Sequence, residues 1–245
     1  MPSSAIAHHP PELLNSKVSP WLMGLLYPIG YHLILPTYFG KIEITGQENI
    51  PQTGPLLIAP THRSRWDAIL FPAALGRKVT GRDLRFMVTS NEIAGIQGWF
   101  IRRLGGFPID VKHPGATSLL YSVALLKQGE MLVIFPEGGI IREKKVAPLK
   151  RGVARIALDV LAQVPDSEIK ILPVSLNYSQ TYPTWGTDAQ VKIGEAIAVK
   201  NYDVQKIRAS SEALTQDLQE RLKVLHEGLV EVKNCEIGNH PPSLV

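Results

Sequence analysis

The sequence predicts an α/β fold: a single domain with a mixed, largely parallel central sheet flanked by helices, preceded by an apolar helical segment. Three observations predict it. From residue 56 onward, short apolar runs of strand length alternate with longer runs of helical period, the pattern of a sheet covered by helices on both faces. Two of the strand-like runs, Leu56-Leu57-Ile58-Ala59 and Met131 to Phe135, are continuously apolar, as buried strands are. The chain has 245 residues, 44% of them hydrophobic and 20% charged, which suffices for one large domain with a full core.

The elements follow in order. Residues 1–40 divide into a loose polar arm with Pro10 and Pro11 and an apolar segment from Trp21 to Phe39. The α/β domain takes residues 41–245. Lys41 to Thr45 alternates as a short strand, and Gly46 to Gly54 carries turn residues. Leu56–Ala59 is a strand, followed by a helix over about 66–75. Leu84–Val88 and Phe107–Asp110 read as strands. Ala116 to Lys127 reads as a helix stopped at Gly129. After the Met131–Phe135 strand come a helix over Gly152–Gln163, a strand over Ile169–Leu176, a candidate edge strand at Gln190–Ile193, and a helix from Gln205 to Val232 with a mixed-charge outer face. No internal repeat or low-complexity tract interrupts the series.

The apolar N-terminal segment carries Gly24, Pro28, Gly30, His32 and Pro36. A spanning helix needs about 20 predominantly apolar residues, and two prolines spoil this one. Trp21, Tyr27, Tyr31 and Tyr38 suit the headgroup level of a bilayer, so the segment reads as interfacial, with a core helix pair as the alternative. The first residues lack a secretory signal. The single cysteine, Cys235, excludes an internal disulfide and a multi-cysteine metal site, and fits a reducing compartment. The expected location is therefore peripheral, monotopic, on the cytoplasmic face of a membrane. A net charge of +4 points to an acidic partner such as phosphate, anionic lipid or an acidic carrier protein. No zinc-finger spacing or aromatic RNP-type motif supports nucleic acid, and no G-x-G-x-x-G or P-loop supports a nucleotide.

Four stretches carry chemistry. The first is His62-Arg63-Ser64-Arg65-Trp66-Asp67. Five residues along one helix turn roughly 140° out of alignment. His62 and Asp67 therefore meet only if His62 lies in the loop after the strand and Asp67 in the first turns of the next helix. Open α/β sheets place ligands at such junctions. The pair makes an imidazole base whose tautomer is held by a carboxylate. The second stretch is Phe135-Pro136-Glu137-Gly138-Gly139, also directly after an apolar strand. It can present the Glu137 carboxylate and backbone N–H groups to a ligand. The third, Gly98-Trp99-Phe100-Ile101-Arg102-Arg103-Leu104-Gly105-Gly106, sets two arginines among apolar residues and glycines, as a phosphate clamp requires. Adjacent side chains point apart, so one arginine of the two is expected to face the site. The fourth is the basic stretch Arg142, Lys144, Lys145, Lys150 and Arg151, suited to a phosphate or an anionic membrane.

Together these four stretches resemble the lysophospholipid/glycerol-phosphate acyltransferase family of the bacterial 1-acylglycerol-3-phosphate type, over roughly residues 40–200. His62 and Asp67 match its H-x-x-x-x-D motif, Gly98 through Arg103 is similar to its G-x-x-F-I-x-R motif, and Phe135 to Gly138 matches F-P-E-G. Ile171-Leu172-Pro173-Val174 resembles its apolar motif around a proline. The family's F-P-E-G-T-R departs here to Gly139-Ile140, without the usual arginine. The resemblance implies that His62 takes the proton of an acceptor hydroxyl as that oxygen attacks an acyl thioester, with Asp67 orienting the ring. It implies acyl-CoA or acyl carrier protein as co-substrate, no cofactor or metal, and 1-acylglycerol-3-phosphate (lysophosphatidate) as the acceptor, giving phosphatidate at a bilayer. Glycerol-3-phosphate or another lysolipid is the alternative acceptor, and a non-catalytic lipid-binding protein the alternative class. Arg103 is expected on the phosphate, with Arg102, Glu137, Gly138, Arg142 and Lys150 completing the substrate site.

The remaining histidines, His226 among them, show no metal-ligand spacing. Asn177-Tyr178-Ser179 fits a glycosylation pattern but lacks a secretion signal to give it meaning.

Overall fold

A computed structural model describes residues 16–109 and 116–228. The polar arm before Ser16, Asp110 at the end of one expected strand, Cys235 and the last residues of the expected C-terminal helix lie outside that range.

The chain opens with α1 (Pro20–Ile29), a π-helical turn (Gly30–Ile34) and α2 (Leu35–Tyr38), then β1 (Phe39–Thr45). Next come β2 (Leu56–Pro60), α3 (Asp67–Leu75), α4 (Arg77–Thr80), β3 (Leu84–Thr89), α5 (Gly95–Arg103) and β4 (Gly106–Ile109). The second half runs α6 (Ala116–Lys127), β5 (Met131–Val133), α7 (Gly152–Gln163), β6 (Lys170–Tyr178), β7 (Thr187–Ile193), β8 (Ile197–Ala198) and α8 (Ile207–Glu227). Sheet order is β1-β7-β6-β2-β5-β3-β4, with β8 pairing β6 off this path. Only β7 and β8 run antiparallel to β6 among the described pairs; β1/β7, β2/β5, β2/β6, β3/β4 and β3/β5 are parallel. The mixed, largely parallel sheet is thus the one expected. Gln190–Ile193 is not an edge strand, however: β7 lies between β1 and β6, because β1 from the far end of the sequence closes the sheet beside it.

The steps across the sheet set the layers. From β2 to β3 to β4 the chain moves one way, and from β4 to β5 to β6 it moves back. Right-handed crossovers then place α3, α4 and α5 on one face and α6 and α7 on the other. Burial agrees. Leu56 and Ile58 of β2 join α3 in one core cluster, while Leu57 and Ala59 join α6, α7 and α8 in the second. All of β2 is buried, which is why the sequence reads there as an unbroken apolar run.

The N-terminal segment lies on the α3 side of the sheet. Tyr31 Oη donates to the carbonyls of Pro72 and Ala73, both at 2.9 Å, and Leu35 and Phe39 enter the α3 core cluster. Residues 16–38 therefore dock on the domain that the sequence separated from them. Pro28 and Pro36 each remove a backbone donor from this helical run. The helix absorbs this by loosening to a π turn, in which the Leu35 N–H donates to the Gly30 carbonyl. Opposite the packed side, Trp21, Leu25 and Leu33 are exposed. Among the described residues no helix is long and apolar enough to cross a membrane.

Candidate active site

Three loops converge beyond the C-terminal ends of β2, β5 and β6, which stand side by side in parallel. The β2 loop delivers His62, and α3 begins at Asp67. His62 Nδ1 lies 2.8 Å from Asp67 Oδ2. A carboxylate accepts, so Nδ1 carries the proton and Nε2 is left as the acceptor, the tautomer a general base needs. The imidazole is held flat by Phe135, stacked at 3.8 Å between ring centroids and 18° between planes.

Asp67 is wholly buried, and its cost is met by a complete set of donors. Oδ2 accepts the Arg63 N–H at 2.7 Å and the Ser64 N–H at 3.1 Å. Oδ1 accepts the Tyr178 hydroxyl at 2.8 Å. Burial, and then the Asp67 charge, push the Tyr178 hydroxyl well above the ordinary tyrosine range, so it stays a donor. Tyr178 ends β6, within the Asn177-Tyr178-Ser179 stretch whose pattern suggests only a glycan acceptor.

Beneath the dyad lies a buried polar network. The Glu137 carboxylate accepts the His62 N–H at 3.0 Å and the Ala147 N–H at 3.0 Å. Its two oxygens also meet the Arg63 guanidinium at 2.7 and 3.3 Å. Glu137 therefore does not face a ligand as the sequence suggested. Its side chain is fully buried and its lone pairs are spent on bracing the His62 loop. Arg63 Nε donates to His226 Nε2 at 3.2 Å, so His226 Nδ1 must carry the proton it shares with Ser175 Oγ at 2.9 Å. Burial, reinforced by the Arg63 charge, lowers His226 to about 4. Arg63, Tyr178, Ser175 and His226 are all absent from the sequence-based set. Only Arg63 lay within one of the four stretches that carry chemistry, where it could have been suspected.

This buried neutral histidine has a consequence for stability. Its folded pKa lies below its unfolded value, so the unfolded chain binds the proton first as pH falls. Stability is lost from about pH 6.5 down to about 4. His226 alone should remove about 2 kcal/mol between pH 7 and pH 5. Urea unfolding at those two pH values checks this, and His226→Gln should flatten the dependence.

The loop after Glu137 folds over the dyad. The Ile141 N–H donates to the His62 carbonyl at 2.8 Å and the Lys150 N–H to the Pro136 carbonyl at 2.8 Å. Gly138 has φ +79°, and the Lys150 side chain crosses the space its Cβ would fill, so glycine is required there twice over. Arg142 is exposed, its guanidinium 4.8 Å from the Tyr182 ring centroid. Gly138 and Lys150 thus belong to the loop that meets the His62 backbone through Ile141, and Arg142 next to it turns its guanidinium to Tyr182.

Arg102 and Arg103 lie elsewhere. Leu84, Met131 and Leu56 are level with one another at the starts of their strands. Phe86, two residues on, pairs with Gly106. Arg103 ends α5 just before that turn, at the N-terminal edge of the sheet, while His62 lies beyond the opposite edge. At about 3.3 Å per strand residue the separation is on the order of 15–20 Å, beyond the reach of an arginine side chain. The sequence assigned this stretch no secondary structure; it is a helix that carries the arginines away from the dyad. Arg103 instead lies over the Trp99 ring at 4.5 Å.

The family model described as Acyltransferase matches residues 41–177, more than half of the chain. The 1-acyl-sn-glycerol-3-phosphate acyltransferase of Bacillus subtilis (strain 168) is 26% identical over 193 residues, covering 78% of this chain and 90% of that protein. Mitochondrial glycerol-3-phosphate acyltransferase 1 of Mus musculus is 30% identical over 191 residues, 69% of this chain but 23% of that protein. The crystal structure of the 1-acyl-sn-glycerophosphate (LPA) acyltransferase PlsC from Thermotoga maritima superposes with a TM-score of 0.56 at 20% identity, covering 82% of this chain and 79% of that one. At that identity the match speaks for the fold.

Proposed function

The chain belongs to the acyltransferase family, and on that premise we propose that it moves an acyl group from a thioester, on coenzyme A or acyl carrier protein, to the hydroxyl of 1-acylglycerol-3-phosphate. The observation that carries the mechanism is the tautomer. Asp67 accepts the hydrogen bond from Nδ1–H, and Nε2 is left to accept the hydroxyl proton as the oxygen attacks the thioester carbonyl. Asp67 then stabilises the imidazolium. The thiolate leaves, and the proton on Nε2 neutralises it. The thioester is already activated, so the step requires neither a protein nucleophile nor a metal. The acceptor is supported by the name of the Bacillus subtilis relative, which is matched over 90% of its own length.

In this reading Arg142 and Lys150 hold the acceptor phosphate, since they lie on the loop that meets the His62 backbone through Ile141, whereas Arg103 lies at the other end of the sheet. A charged hydrogen bond is worth roughly 1.5–3 kcal/mol. Arg142→Ala should therefore raise the acceptor KM by about 10–150-fold if the bond is equal in ground and transition states. Arg103→Ala should leave it near wild type. The measurement is initial rate against a short-chain, monomerically dissolved lysophosphatidate. A large loss for Arg103→Ala with none for Arg142→Ala would return the clamp to α5.

A second acceptor, glycerol-3-phosphate, is favoured by the likeness to the mouse enzyme. Product analysis with equal concentrations of both acceptors separates the two: phosphatidate supports the first reading, lysophosphatidate formed from glycerol-3-phosphate the second. We further propose that the segment from Trp21 to Tyr38 rests on the cytoplasmic face of a bilayer through Trp21, Leu25 and Leu33, which are exposed on its outer side.

A further inference from the structure

The arginine pair that the catalytic site does not use sits on a helix with an unexplained outer face. On α5, Ile96, Trp99 and Phe100 are exposed, Ile96 by 80%. They occur at i, i+3 and i+4, so they form one stripe on the helix. Gly98 is the one buried residue of α5, pressed on the Ile93 backbone of the preceding turn, and Ile101 lies against Gly106 of β4, while Ile96, Trp99 and Phe100 turn outward. Arg102 and Arg103 close its last turn, both exposed.

The position of this stripe suggests what covers it. Crossover handedness puts α5 in the same layer as α3, the side on which α1 meets Gly76 through Tyr27 and α2 packs through Leu35. The Ser19 N–H, at the start of α1, donates to the Arg103 carbonyl at 2.9 Å, so the two helices abut. Of the ten exposed large hydrophobic side chains among the described residues, α1, the π turn and α5 hold six: Trp21, Leu25, Leu33, Ile96, Trp99 and Phe100. The helices of the opposite layer hold one, Leu120 of α6.

We propose that α5 is a second membrane-contacting element, which lays Ile96, Trp99 and Phe100 into the interface of an anionic bilayer and sets Arg102 and Arg103 against lipid phosphates. Tryptophan beside arginine is the side-chain pair that suits headgroup depth, and basic residues at the surface add attraction to anionic lipid. The contact extends the N-terminal one proposed above and rests on it for continuity. It presents α5 flat on the membrane, not inserted across it.

The test uses the full-length protein and vesicles of phosphatidylcholine, alone or mixed with phosphatidylglycerol. Ile96→Ser/Trp99→Ser should lower the vesicle partition coefficient at least about tenfold on both. Arg102→Gln/Arg103→Gln should weaken binding to the anionic vesicles alone. Brominated acyl chains should quench wild-type tryptophan emission more than that of Trp99→Phe. Turnover on dissolved short-chain lysophosphatidate should be unchanged in Ile96→Ser/Trp99→Ser, which keeps a failure of the membrane contact distinct from a failure of the acyl-transfer reading. Wild-type partitioning by both variants, or equal quenching with and without Trp99, overturns the proposal. Intact vesicle binding with lost binding to acyl carrier protein would assign the face to the carrier and overturn it equally.

Discussion

His62→Ala is expected to lower turnover by about 10²–10⁴-fold while leaving the fold in place. The side chain is part-exposed, at 18%, and among the described residues its only polar side-chain contact is to Asp67. Its loss removes the acceptor of the hydroxyl proton but leaves the loop braced by Glu137 through the His62 backbone N–H. Circular dichroism and vesicle binding should match wild type. Asp67→Asn should also be impaired, because an amide in the place of Oδ2 can donate to Nδ1 and so select the wrong tautomer. Near-wild-type turnover in a folded His62→Ala protein would remove the base from the mechanism.

The second large effect is on stability. Arg63 and Glu137 form an ion pair with side-chain exposures of 6% and 0%. Removing one partner leaves an uncompensated buried charge, which costs about 3–5 kcal/mol. Glu137→Ala should therefore lower the melting temperature by about 6–20 °C in a chain of this size. It also frees the His62 and Ala147 N–H groups, so the dyad should loosen and turnover fall with stability. Arg63→Ala should cost a comparable amount. Replacing both partners with apolar side chains, as in Arg63→Met/Glu137→Leu, should cost less than the sum of the single changes. Additive losses in thermal unfolding would show that the two side chains act separately.

The parts of the site legible in the sequence are those set by local geometry. The separation of His62 from Asp67 demands a loop followed by a helix, and α3 starts at Asp67. The helices at Ala116–Lys127 and Gly152–Gln163 have the bounds expected from their periodicity. What was illegible depends on distant partners. His226 meets Arg63 across 163 residues, and β1 finds β7 across most of the chain. The helix α5 was missed for a local reason. Gly95 and Gly98 give it poor intrinsic helix propensity, and the close approach of Gly98 to Ile93 is what makes glycine necessary there. The clamp-like composition alone brought Arg103 toward the dyad; its helical form places the arginine at the other end of the sheet. Glu137 shows the complementary error. A carboxylate after a strand looks available for a ligand, and only the structure reveals that Arg63 and two backbone N–H groups have claimed it.

The central claim is direct transfer, with His62 as base and no acyl-enzyme. It is tested most directly by rapid-mixing measurement of thiol release from the acyl thioester, with and without lysophosphatidate. The account predicts that release waits for the acceptor and matches phosphatidate formed mole for mole. A burst of one thiol per enzyme in the absence of acceptor, undiminished in His62→Ala, would contradict it.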